Sequence, residues 1–314
     1  MPQVSRRAVN YRRKQVSLGA GSKVFSGSSQ SGDEVIDNRD IAQNEQNEAE
    51  SSGQPVSSVE DGGAKKFDEP FKGRDFSGKS LDSIMVIEVF AGTARLTRAV
   101  RDIGLSGLAV DKDSNRAQNV HIANYDLNDP AQFRALCELV QKHHDQILWV
   151  HFAPACGTAS RARGRPLTKL EKLGVKVPQP LRSDEQPMGL DGLGGLDKVK
   201  TETANITYEN MCLLARMCHG LDIAISVENP EDSIFWKVPA VLALLSEIGG
   251  FMTIFDNCCH GGSRRKGTAW WANVDWFKQL AIRCDNSHFH EKWTADIVDG
   301  KVCFPTHLDR KSVV

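Results

Sequence analysis

Three short stretches of this sequence hold residue types that can do chemistry. The first is Pro154-Ala155-Cys156-Gly157, directly after the apolar run Ile147–Phe152. A strand would deliver Cys156 on a short loop, and a thiol there can act as a nucleophile. Arg161, Arg163 and Arg165 follow closely and would favour its thiolate form. The second is Glu228-Asn229-Pro230, after the apolar run Ile223–Val227. A carboxyl group held protonated by burial can donate to a ring nitrogen. The third is Glu88-Val89-Phe90-Ala91-Gly92-Thr93-Ala94, which joins a strand-like run to a helix-like one. Gly92 lets the backbone approach a ligand closely, and the helix start offers free amides. Asp111, about twenty residues on, ends the next strand and can hold ribose hydroxyls. The same residues also fit a plain strand-to-helix turn with Asp111 as a helix cap.

The elements that must position these residues follow from hydrophobic periodicity. Strands are expected over Ile84–Phe90, Gly107–Asp111, Ile147–Phe152, Ile223–Val227, Phe251–Phe255 and Ala269–Ala272. Helices are expected over Leu96–Ile103, Ala131–Lys142, Asn205–His219 and Ala240–Ile248. Alternating, almost wholly apolar strands and helices predict an α/β, Rossmann-like fold with a mostly parallel sheet and helices on both faces. In such a fold ligands bind beyond the carboxyl ends of the strands, where all three motifs lie.

Composition sets the outer limits. The chain has 314 residues, 40% hydrophobic and 25% charged, with a formal net charge of -1. Any surface for a polyanion must therefore be local. Nothing in the sequence reads as a secretion signal or a membrane span of ~20 apolar residues. The eight cysteines are expected to be reduced thiols. Residues 1–80 read as a disordered tail, basic and then acidic, with a domain over 81–314. A solvated tail is the favoured reading of that basic start. A nucleic-acid arm, a nuclear signal and an organelle presequence remain open, so the expected location is nuclear or organellar. Residues 161–200 read as a basic, Gly- and Pro-rich insertion. Its Arg161, Arg163, Arg165, Lys169, Lys172, Lys176 and Arg182 could neutralise phosphates.

The ordered motifs resemble those of the cytosine-5 DNA methyltransferase family, most of all a divergent branch from algae, protists and mobile elements. Glu88–Gly92 is similar to that family's first motif. Pro154-Ala155-Cys156 with Ser160 resembles its nucleophile loop, and Glu228-Asn229 its acidic motif. Gly262-Ser263-Arg264-Arg265-Lys266 resembles its arginine motif. Ala94, Arg95, Ala155, Gly157 and Pro230 depart from the family pattern.

The resemblance implies an S-adenosylmethionine-dependent methyltransferase fold and methyl transfer to carbon 5 of cytosine in DNA. It implies Cys156 as nucleophile, Glu228 on ring nitrogen 3, and Arg264 orienting the base and its loop. Phe90 would lie against the adenine, Asp111 on the ribose and Asp126 near the adenine amino group. Ala91, Gly92, Thr93 and Pro154 would complete the donor pocket. Ser160, Arg161, Arg163, Arg165, Asn229 and Lys266 would touch nucleic acid. Two alternatives stand beside this: a catalytically inactive nucleic-acid-binding relative, and an RNA cytosine-5 methyltransferase.

Two weaker patterns remain. Cys258 or Cys259 with Cys284, His288 and His290 could supply four zinc ligands. Their spacing matches no standard finger, so the pattern favours unliganded thiols and surface histidines, with Cys258, Cys284, His288 and His290 as the candidate set. Trp236, Trp270, Trp271, Trp276 and Trp293 could stack on bases, although packing is the favoured reading.

Overall fold

A computed structural model describes residues 74–113, 120–165, 174 and 177–293, together with the backbone of 296–298 and 301–303. Most of the expected tail, and Lys169, Lys172 and Lys176, lie outside the described residues. Residues 74–80 do not behave as tail. Arg74 donates to the carbonyls of His144 and Leu221, and Lys79 to that of Asp145. The chain is thus tied to the domain before residue 81.

Seven strands form the main sheet: β1 (Met85–Val89), β2 (Ser106–Asp111), β3 (Ile122–Asn124), β4 (Ile147–Phe152), β5 (Ala224–Pro230), β6 (Phe251–Asp256) and β7 (Gly267–Ala272). Their order is β3-β2-β1-β4-β5-β7-β6, with β7 antiparallel to both neighbours. This is the expected mostly parallel α/β sheet. From β1 the chain steps outward to β2 and β3, then crosses back to β4 on the other side of β1. The carboxyl ends of β1 and β4 therefore flank the topological switch point, where open α/β sheets hold ligands. A separate hairpin pairs β8 (Asp296–Val298) with β9 (Lys301–Cys303).

Among the described residues four α-helices pack on the sheet: α1 (Arg95–Asp102), α2 (Pro130–Lys142), α3 (Gly195–Gly220) and α4 (Pro239–Ile248). Alternation along the strands divides the core. Ile87, Val89, Val150, Phe152, Ile225 and Val227 pack with residues of α2, α3 and α4. Val86, Trp149 and Ala224 point the other way and pack with Leu96 and Val100 of α1. Each large apolar side chain fully buried in these layers stabilises the fold by about 1.5–3 kcal/mol.

Local chemistry sets the helix starts. Asp129 accepts from the amides of Ala131 and Gln132 and Pro130 fills the first turn of α2. The first turn of α1 has no such cap from its flanking residue. Its service comes from the strand: buried Glu88 accepts from the amide and the hydroxyl of Thr97 at 2.7 and 2.6 Å. A carboxylate suits the positive end of a helix.

Two elements differ from expectation. β3 spans three residues, too few for a period to show. α3 begins at Gly195, not Asn205, because its first turns leave Leu196 and Val199 exposed and so break the buried stripe. The connection after Cys156 therefore ends near residue 194. Among the described residues no helix is long and apolar enough to cross a membrane.

Candidate active site at the switch point

The turn after β1 is built from unusual backbone. Phe90, Gly92 and Ala94 take φ values of 64°, 56° and 52°. Left-handed geometry at two non-glycine residues within five positions is uncommon and marks a turn held by its surroundings. The holding bonds are visible. Ala91 N–H donates to the Val110 carbonyl at 3.0 Å, and Gly92 N–H to Asp111 Oδ2 at 2.8 Å. A Cβ placed on Gly92 would meet nothing within 4 Å, so this side of the turn opens to a ligand. Phe90 and Thr93 are half-buried beside it, and Ala91 is buried. One Asp111 oxygen thus secures the turn, while a carboxylate retains further lone pairs for hydroxyl groups.

Asp126 is brought near by sheet register, since Asp111 pairs with Asn124 across β2 and β3. Its Oδ1 accepts from the Asn128 amide at 2.9 Å, in the turn that leads into α2. Glu88 lies beneath, and burial pushes its carboxyl above the usual range against the bonds from Thr97.

The thiol comes from β4. Val89 and Phe152 are register partners, and Ala153 N–H donates to the Val89 carbonyl. Cys156 is half-buried, four residues past the strand. Two buried side chains hold its loop. Asn229 Nδ2 donates to the Pro154 carbonyl at 3.0 Å, and the Tyr208 hydroxyl donates to the Ala155 carbonyl at 2.9 Å. Pro154 itself is buried. Asn229 is fully buried, so it holds the loop where direct nucleic-acid contact was expected. Arg182 differs likewise from a phosphate-facing reading. It is 5% exposed and donates to Thr158 Oγ1, Asn205 Oδ1 and the carbonyls of Pro187 and Thr201. A guanidinium so engaged braces the loop from below.

Glu228 lies at the end of β5, one residue past the Phe152–Val227 pair. Its Oε1 is buried without a hydrogen-bond partner. Burial pushes its carboxyl upward, and the charge of Lys266 opposes the shift. Strand pairing and the Asn229 bond therefore bring the Cys156 loop and Glu228 to adjacent strand ends.

The other expected residues are distributed as follows. Ser160 Oγ accepts from the Ala162 amide and caps the short turn Arg161–Gly164. Arg161 pairs with Asp184 at 2.5 Å and donates to the Asp232 carbonyl. Arg163 donates to the Gln179 carbonyl at 2.9 Å. Arg165 is exposed. Arg264 forms an ion pair with Glu291 at 2.6 Å and lies over the Trp293 ring. Trp270 and Trp271 are buried, Trp236 donates to the Pro230 carbonyl, and Trp276 and Trp293 are exposed. Cys258, Cys284, His288 and His290 converge, with ligand atoms within 4.8 Å of one another. None of the cysteines with described side chains is in a disulfide.

Sequence reasoning missed Tyr208 and the bracing role of Arg182. Tyr208 was visible only as one apolar position in a helical stripe. A buried cluster behind the site was also missed: Ser226 Oγ accepts from Trp149 Nε1 and bonds His151 Nδ1, each at 2.8 Å. His151 stacks on Trp270 at 4.3 Å. An open depression of about 590 Å³, lined by Met85, Ser106, Leu108 and His143 among others, lies at the amino ends of β1 and β2, away from the motifs.

Comparison with known proteins gives little beyond this geometry. No protein-family model and no curated protein matches the sequence. Among solved structures, a DNMT2 from Spodoptera frugiperda matches with a TM-score of 0.37 and 13% identity over 66% of this chain. The match spans 56% of that chain, a little over half its length. Likeness at that level bears neither on activity nor on substrate.

Proposed function

We propose that this chain is an S-adenosylmethionine-dependent methyltransferase that acts on carbon 5 of cytosine in DNA. The observation that carries the proposal is the Asn229–Pro154 hydrogen bond, which fastens the Cys156 loop to the strand end bearing Glu228. A thiol and a buried carboxyl beside a nucleotide-type turn suit this reaction.

The residues present fit the methyl donor. The open side of Gly92 admits a ligand next to the α1 amides, and Asp111 offers carboxylate lone pairs to ribose hydroxyls. Phe90 would face the adenine, with Ala91, Thr93, Asp126 and Pro154 around it. When bound, the donor supplies an electrophilic methyl group.

Carbon 5 of cytosine is a weak nucleophile. Attack of the Cys156 thiolate on carbon 6 forms a carbon–sulfur bond and shifts electron density to carbon 5. Protonated Glu228 donates to ring nitrogen 3 and stabilises that density, as suits a carboxyl raised by burial. After methylation, loss of the carbon 5 proton to solvent expels the thiolate, the proton shared with ring nitrogen 3 returns to Glu228, and the ring is restored. The base must leave its stack for carbon 6 to be reached from its face. Arg165 and Lys266 supply positive charge for phosphates, while Arg161, paired with Asp184, and Arg163, bonded to the Gln179 carbonyl, hold the loop edge.

The test is covalent capture. DNA carrying 5-fluorocytosine should trap the wild-type chain in the presence of the donor, because fluorine blocks the elimination. Cys156→Ser should abolish trapping and methyl transfer. Trapping retained in that variant would remove Cys156 from the mechanism. Parallel assays on single-stranded RNA separate the RNA reading. Calorimetry with S-adenosylmethionine separates the inactive binding protein, which would give no saturable heat.

A further inference from the structure

We infer that Cys258, Cys284, His288 and His290 form a structural zinc site that staples the segment around 281–293 to the loop between β6 and β7. This does not depend on the methyl-transfer reading. Cys258 lies in the short turn Asn257–His260 that follows β6. The other three residues come from an irregular stretch beyond the turn Asp275–Leu280.

The geometry is close to that of a metal shell. Cys284 Sγ lies 3.3 Å from His290 Nε2 and 3.8 Å from His288 Nε2. All four ligand atoms lie within 4.8 Å of one another. Tetrahedral zinc, with bonds of about 2.3 Å to sulfur and 2.0 Å to nitrogen, sets sulfur–nitrogen separations near ~3.5 Å. The observed distances bracket that value. Two thiols and two imidazoles give a set of soft and borderline ligands, which selects zinc over the oxygen-seeking cations. Four protein ligands also close the shell, as in structural rather than catalytic sites.

The surrounding backbone serves the same end. Asn286, at φ 62°, reverses the chain between Cys284 and His288, so that residues four and six positions on return to the sulfur. Asn286 N–H donates to Cys284 Sγ at 3.2 Å, a bond that stabilises a thiolate from outside the ligand shell. The Cys284 amide is in turn fixed by buried Asp256 Oδ2 at 2.8 Å.

The segment needs such a staple. Between residues 281 and 293 there is no helix or strand, and Ile282, Phe289 and Trp293 are exposed. Little apolar burial is left to hold it, the situation in which metals stabilise small or irregular units. What the segment touches is the arginine-rich run. Glu291 N–H donates to the Ser263 carbonyl, Glu291 pairs with Arg264, and Trp293 Nε1 donates to the Arg265 carbonyl. The staple therefore also fixes the loop that ends in Lys266, whose charge opposes the upward shift of the Glu228 carboxyl.

The test uses the full, untagged chain, purified under reducing conditions without chelator. Elemental analysis should find one zinc per chain. Exchange with Co(II) should give the intense visible bands of tetrahedral cobalt and a thiolate charge-transfer band. Cys284→Ser and His290→Ala should lose zinc, while Cys259→Ser should keep it. Zinc below a tenth of one equivalent in the reduced wild-type chain after incubation with zinc would overturn the site. So would a weak, octahedral cobalt spectrum. Retention of zinc in Cys258→Ser together with its loss in Cys259→Ser would overturn the ligand assignment. The wild-type cobalt spectrum decides the matter even if the ligand variants do not fold.

Discussion

Asn229 and Pro154, 75 positions apart in sequence, are joined by a hydrogen bond of 3.0 Å from the Asn229 side-chain amide to the Pro154 carbonyl. The bond is buried and ties the end of β5 to the loop after β4. Asn229→Ala leaves that carbonyl unpaired, a loss of about 1–3 kcal/mol. The expected outcome is a lower urea midpoint together with a drop in single-turnover methyl transfer. Donor affinity should fall much less, because the β1 turn is untouched and only Pro154 of the proposed donor pocket loses a tether. Equal losses in donor binding and turnover would refute the positioning role.

Glu228 predicts a pH-dependent contrast. Its folded pKa is raised above the ordinary 4.5 by burial, with Lys266 opposing. A carboxyl so shifted favours the fold while protonated. That contribution is present below the unfolded value and is lost as pH rises through the folded one. Glu228→Gln keeps the shape and removes the charge. Its thermal midpoint relative to wild type should therefore rise from about pH 5 to about pH 8, while methyl transfer falls by about 10²-fold or more. A midpoint difference that stays flat with pH would show that Glu228 is not held neutral.

His151 predicts the opposite limb. Burial takes its pKa from 6.5 down to about 3, so the folded ring stays neutral. The unfolded chain takes up the proton first, and stability is lost as pH falls below 6.5. Between about pH 6.5 and 5.5 the loss should be about 1 kcal/mol. In His151→Gln that slope should flatten in urea titrations at matched pH. An unchanged slope would place the acid sensitivity elsewhere.

Asp111 separates folding from donor binding. In Asp111→Asn the side-chain oxygen can still accept the Gly92 amide, now seen at 2.8 Å. Stability should change by less than about 1 kcal/mol, since one neutral hydrogen bond replaces a charged one. Affinity for S-adenosylmethionine, measured by calorimetry, should fall about tenfold through weaker bonds to ribose hydroxyls. In Asp111→Ala both should fall. Full donor affinity in the Asn variant would move the ribose contact to another residue.

What the sequence determined alone was period and order. The runs Ile147–Phe152 and Ile223–Val227 are apolar except for His151 and Ser226, because both faces of β4 and β5 are covered, and that burial is written in consecutive residues. The placement of Gly92 and Cys156 just past strand ends, and of Glu228 near the end of β5, followed from the same runs. Tertiary structure decided what depends on contacts between distant segments. Whether Asn229 reaches outward or turns inward to Pro154 is set by β4–β5 pairing, which no local pattern records. Arg182 looked like one more charge in a basic loop, yet four acceptors from three segments surround it. Cys258 or Cys259 with Cys284, His288 and His290 could be read as a ligand set, but their spacing matches no standard finger and favoured unliganded thiols. Only the packing of one loop against another brings their sulfur and nitrogen atoms together, because ligand convergence is a property of three-dimensional distance and not of spacing along the chain.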